Sequence, residues 1–200
     1  MKEALAKAIM SLLYKKRELL QEFLSNLPVE RLSEPFYFQS LQRYYGREMG
    51  EGLHKVFLSF RGFMRREELK EFKKWALEKE RYFSIEGKRG LNIDPGYVEE
   101  SHLILASSKR RGGRFYLGEG IYAEIEYLYV YGAFRPLYWT YGDYRDIRVR
   151  EFFERVREDF LKDLKLAREG KELVVYRFTK YELYQSIEPW RPVGEEEVKS

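Results

Sequence analysis

Cysteine is absent from this 200-residue chain. That single absence excludes disulfides, thiol nucleophiles, iron–sulfur clusters and cysteine-based zinc sites. Histidine is nearly as scarce. His54 and His102 are the only two, they share no metal-binding spacing, and both read as ordinary surface or core-edge residues. No apolar run approaches the roughly 18 residues that suggest a membrane span. The opening Met1-Lys2-Glu3 leads into no signal peptide, so a cytoplasmic location is expected. Amide side chains are few as well, two Asn and four Gln, beside abundant Lys, Arg and Glu; this reads as heat adaptation.

What is present suffices for a folded domain. Hydrophobic residues make up 44% of the chain, enough for a packed core. Charged residues make up 35%, against roughly 25% in an average domain. In a heat-adapted protein such density is first a stability device, so a net charge of +4 says little about a nucleic-acid partner.

Periodicity leaves the N-terminus open. Leu5, Ala8, Ile9, Leu12 and Leu13 follow helical spacing, continued by Leu20, Phe23, Leu24 and Leu27. Residues 2–27 read either as one long helix or as a strand over 6–13 followed by a helix over 16–27, closed by Pro28. Residues 34–38 read as extended, residues 39–52 as a polar connection and residues 55–60 as a strand. The spacing predicts a helix over 65–81 with Leu69, Phe72 and Ala76 in one stripe. A β-rich middle follows, with strands near 91–97 and 103–106, then a hairpin of 114–117 and 121–131 around Gly118-Glu119-Gly120. Residues 139–146 read as an aromatic, polar loop. Val149, Phe152, Phe153, Val156, Phe160 and Leu164 then mark the clearest helix, ended by Gly170. Residues 173–178 read as a late strand and the acidic end as frayed. With the strand reading of 6–13, the first hundred residues run β-α-β-β-α-β, the ferredoxin-like order. The expectation is an α+β fold: an antiparallel or mixed sheet with helices on one face, a single domain over 1–165 and a C-terminal extension over 166–200.

Several stretches together resemble an uncharacterised prokaryotic family, domain of unknown function 4416. They are Glu34-Pro35-Phe36 with Tyr44-Tyr45 and Glu48-Met49-Gly50; Asn92-Ile93-Asp94-Pro95-Gly96-Tyr97; Leu105-Ala106-Ser107-Ser108-Lys109; Arg114 through Glu124; and Trp139-Thr140-Tyr141 with Asp143-Tyr144-Arg145. They run from about residue 6 to 160. The resemblance implies a strand at 6–13 and no particular activity. Family members often carry the label "GTP-binding protein", which this sequence does not support. It has neither a G-x-x-x-x-G-K-[ST] loop nor an Asn-Lys-x-Asp signature.

Three groups of residues can carry chemistry. The first is Lys109-Arg110-Arg111-Gly112-Gly113-Arg114, where cations flank a flexible glycine pair. Lys109 and Arg114 would contact phosphate, whereas a bare hairpin tip blunted by charge is the plainer reading. The second is a set of loop carboxylates and tyrosines. Asp94, Glu119 and Asp143 would act as acid or base or hold Mg²⁺; Tyr97, Tyr116 and Tyr144 would stack on a ligand or hydrogen-bond to it. Asp94-Pro95-Gly96 also suits a plain turn. The third is Glu124 with Glu126 in mid-strand, where a covered face would demand a cation such as Arg114. Asp94 and Glu124 are thus expected to orient the cations. The leading expectation is a binding domain for a small anionic ligand: a nucleotide, a phosphorylated metabolite or RNA. An RNA-recognition-like sheet has the right strand order but lacks its signature. The alternatives are an enzyme acting on a phosphorylated substrate and an interaction module with an aromatic interface.

Overall fold

A computed structural model describes residues 4–190. The chain begins with β1 (Leu5–Tyr14), α1 (Arg17–Leu24), β2 (Val29–Leu32), α2 (Gln39–Met49), β3 (His54–Phe60) and the short β4 (Met64–Arg65). After a 3₁₀ turn come α3 (Leu69–Tyr82), the small hairpin β5 (Ser84–Ile85) and β6 (Lys88–Arg89), then β7 (Leu91–Val98), β8 (His102–Ser107), β9 (Arg114–Gly118), β10 (Ile121–Val130) and β11 (Ala133–Pro136). A second 3₁₀ turn leads into α4 (Ile147–Gly170), and the hairpin β12 (Glu172–Phe178) and β13 (Leu183–Pro189) closes the described chain.

The main sheet runs β11-β10-β8-β7-β1-β3-β2, with β4 on β1 and β9 on β10. All its pairings are antiparallel. The fold is therefore α+β. In its first half β1–α1–β2 steps over β3, and β3–α3–β7 steps over β1. These two interleaved split β-α-β units give the ferredoxin-like order.

The ambiguity at the N-terminus resolves as a strand because β1 lies between β3 and β7 and is buried along its whole length. Ala6, Ala8, Met10 and Leu12 face α1 and α3. Ile9 faces α4, and Leu13 faces α2. A strand covered on both sides needs no polar alternation, so its apolar residues can fall by accident at helical intervals.

Three expectations are corrected. The helices do not share one face: α1 and α3 cover one side, α2 and α4 the other. The extended run at 34–38 contributes only one bridge, Phe36 to Lys55, and the second strand of the block is Val29–Leu32 instead. The supposed connection over 39–52 holds α2, whose short stripe of Leu41, Tyr45 and Met49 packs on Leu13 and Leu53. That stripe is diluted by polar neighbours and a glycine, which hid it. The C-terminal region has two strands. Its hairpin joins the core, since Phe178 stacks on Phe72 with centroids 4.1 Å apart. The acidic tail lies outside the described residues.

Charge also enters the core. Lys7 is fully buried on β1, and its ammonium donates to the Phe60 and Gly62 carbonyls, each at 3.2 Å. It pairs with Asp163 of α4 at 2.7 Å and with Glu30 of β2 at 3.0 Å, so the cation is neutralised and ties helix to sheet.

Gly96 marks the closest approach of β7 to β8: a Cβ there would meet the Ile104 carbonyl oxygen at 2.2 Å. Gly96→Ala is expected to destabilise the fold by about 3 kcal/mol through this backbone overlap. The check is a lower denaturant midpoint at unchanged slope; an unaltered midpoint would refute the close-approach argument.

Candidate functional site

The site begins with a strand that loses its neighbour. On its β8 side, β7 is paired only from Gly96 to Val98, opposite Leu105 to Leu103. Pro95 has no N–H to continue the ladder, and after Ser107 the chain departs into the glycine-containing loop 108–113. Residues 91–95 therefore face a gap. The Ile93 amide on this side donates instead to Glu80 Oε2 of α3, at 2.7 Å.

A cavity of about 500 Å³ fills the gap. α3 supplies Lys73 and Glu80; α2 supplies Tyr44 and Tyr45; β3 supplies Lys55; β7 supplies Asn92 and Asp94. The remaining wall comes from 107–111, Arg114 and the segment 141–144. Of the expected site residues, Lys109, Arg114, Asp94, Asp143 and Tyr144 line this one space.

Their roles differ from expectation. The Arg114 side chain is almost wholly buried and its donors are mostly engaged. Nε donates to Glu124 Oε2 at 2.6 Å, and Nη1 to Ser107 Oγ at 2.8 Å and the Lys109 carbonyl at 2.6 Å. Nη2 donates to the Tyr141 hydroxyl. Arg114 thus frames the wall rather than reaching into the space. Lys109 keeps a freer ammonium, 2.8 Å from the Tyr44 hydroxyl and over that ring. This hydrogen bond holds the Tyr44 phenol below its usual range. Asp143 is buried against Lys55 at 2.5 Å. Asp94 orients no cation: it accepts only from Asn92 Nδ2, at 3.1 Å. Tyr144 is a wall element, buried and stacked in parallel on Phe153.

Three expected residues lie elsewhere. Tyr97 packs into the core on the α1/α3 side, where burial pushes its phenol up to about 12. Tyr116 is exposed on β9 and accepts from the Gly120 amide. Glu119 occupies the left-handed tip of the β9–β10 turn and pairs with Lys70 and Lys74 of α3. Alternation along a strand and turn chemistry account for all three. Nor is the central sheet an open stacking surface, since helices cover both faces. Among the described residues no three His, Asp or Glu side chains form a metal-binding group.

Sequence reasoning missed Lys55, Lys73 and Glu80. A signal existed in α3, where Lys73 and Glu80 stand four and eleven residues after Leu69. Those are core positions of the stripe, and charges there are buried. Burial is the main force raising the Glu80 carboxyl above its usual range, opposed by Lys73 and the Ile93 amide.

Behind Arg114 lies a second layer. Glu126 is fully buried and accepts from the Tyr141 amide at 3.2 Å. Burial first, then the hydrogen-bonded carboxylate of Glu124, push its carboxyl up to about 9. Oε1 of each glutamate is buried with no hydrogen-bond donor among the described residues, and the Glu124 carboxyl beside it favours the neutral form of Glu126.

The fold and site thus define an α+β protein with a charged internal cavity where the sheet is interrupted. The sequence profile of the family described as Domain of unknown function (DUF4416) matches residues 4–160, and the chain belongs to that family. No curated protein and no solved structure matches it. Among the described residues no helix is long and apolar enough to cross a membrane.

The Glu126 proton predicts a pH signature. Above the ordinary carboxylate range the unfolded chain releases this proton while the folded chain keeps it, so stability falls as pH rises until the folded value, about 9, is passed. Glu126→Gln retains a donor toward Glu124 and has nothing to titrate. Its stability relative to the parent is expected to climb from about pH 5 to pH 9, by at most about 1.4 kcal/mol per pH unit. Denaturant unfolding at pH 5, 7 and 9 checks this; a constant difference would refute the raised Glu126 carboxyl.

Proposed function

We propose that the protein binds a small anionic ligand, a nucleotide or another phosphorylated metabolite, in the cavity between β7, α2 and α3. One observation carries this reading. Lys73 is a buried residue on the cavity wall whose ammonium has no carboxylate within ion-pair distance and no hydrogen-bond acceptor among the described residues, the Glu80 carboxylate acting on it only from farther off. An ammonium without a hydrogen-bond acceptor on a buried wall is under-compensated, and an anion in the cavity would supply that acceptor.

Other features support it. The Lys109 ammonium faces the same space, partnered among the described residues only by a phenol. Ser107 and Ser108 add hydroxyls, and the volume falls in the range of small-molecule sites. A cavity of this size suits one compact guest rather than a length of RNA.

Inorganic phosphate, pyrophosphate, AMP and ATP serve as probes in thermal-shift and calorimetric titrations. A probe at 100 times its Kd adds about 2.7 kcal/mol to stability. Lys73→Met and Lys109→Ala are each expected to weaken binding at least tenfold, about 1.4 kcal/mol. Binding of every probe at parental affinity by both variants, or binding of none by the parent, would overturn the reading.

A further inference from the structure

The charges around the cavity can be matched off against one another. Arg89 lays its fork on Glu48, at 2.8 and 2.9 Å, donates Nη1 to Asn92 Oδ1 at 2.7 Å, and pairs with Glu80 at 3.5 Å. Lys55 is taken by Asp143 and Arg114 by Glu124. Apart from the exposed Arg110 and Arg111, the cations with no carboxylate in ion-pair distance among the described residues are Lys109 and Lys73, the latter offsetting Glu80 from farther away. The negative group left over is Asp94, which has no cation within ion-pair distance among the described residues. Its one side-chain partner is Asn92, and it lines the cavity.

A receptor for a plain anion gains nothing from such a group. An unpaired carboxylate would repel the guest in a space where low polarisability magnifies the repulsion. Asn92 holds Asp94 with a neutral amide, while its own Oδ1 accepts from Arg89, whose charge is taken by Glu48 and Glu80. The phenols of Tyr45, Tyr141 and Tyr144 all feel its charge, which adds to the burial that raises them. A carboxylate among aromatic rings suits a nitrogen that donates hydrogen bonds.

We infer that the ligand bears an N–H donor, an amine or the amino edge of a heterocycle, as well as its anionic group, and that Asp94 receives that nitrogen while Lys73 and Lys109 receive the anion. This rests on the anion-binding reading above and narrows it to bipolar ligands.

Matched pairs test it by calorimetry. O-phosphoethanolamine against ethyl phosphate probes an alkylammonium, and AMP against ribose 5-phosphate probes an amino heterocycle. The parent is expected to favour the nitrogen-bearing member of at least one pair tenfold or more. Asp94→Asn, which keeps the side chain's shape, should erase that preference and leave the plain phosphate bound as well as before or better. The preference of the parent is read without any variant, so the test survives a variant that fails to fold. Equal affinities within both pairs, or a preference that persists in Asp94→Asn, would overturn the inference and leave anion binding standing. Failure of the parent to bind any phosphate would overturn anion binding and this inference together.

Discussion

The site depends on one broken ladder. Antiparallel strands satisfy their amides through their neighbours, and β7 has a neighbour on its β8 side for only part of its length. Gly96 brings β8 close, and the preceding Pro95 removes a donor where the pairing stops. What lies beyond is backbone inside the molecule that must be satisfied by other means. Glu80 does this for Ile93 from across the gap. A carboxylate brought there needs its own company, and that requirement draws α3 charges to positions a plain amphipathic helix would keep apolar. The cavity and its buried charges follow from the same interruption.

The polar framework around the gap is built in layers. Glu126 is pushed toward its neutral form beside Glu124, Glu124 fixes Arg114, and Arg114 fixes the Lys109 carbonyl, Ser107 and Tyr141. A buried ion pair is weak as a source of stability but strict in its geometry. Each member here removes freedom from the one in front of it, so the loop 108–113 leaves from a rigid base even though it holds two glycines. The freer ammonium of Lys109 is presented by that base.

How much of this was legible in the sequence follows physical lines. Long apolar stripes were readable, as in α4, because burial on a single face imposes a period. The strand β1 was ambiguous because burial on both faces imposes none. Lys109, Arg114, Asp94 and Asp143 could be nominated from local chemistry. Their division into free and engaged groups could not, since the partners of Arg114 and Lys55 come from ten and 88 positions away. Tyr97 shows the complementary error. It stands three residues from Asp94, on the opposite face of the same strand, so alternation sends it to the core. Lys73 was legible in principle, as a charge at a core position of α3.

The family match ends at residue 160, and every residue lining the cavity lies within it. The β12–β13 hairpin lies beyond, yet it bears on the site. Phe178 stacks on Phe72 and meets Trp75 edge-on, on the same helix that carries Lys73 and Glu80. At the other end of β12 the Gly62 turn takes the strand closely, with Phe63 and Val174–Tyr176 exchanging backbone hydrogen bonds. The hairpin is therefore a brace for α3. A buried lysine and a buried carboxylate both pull a helix toward water, and the helix holding them needs apolar anchorage on its other flank. The matched region supplies the chemistry of the cavity, and the C-terminal hairpin supplies part of the packing that lets α3 hold it there.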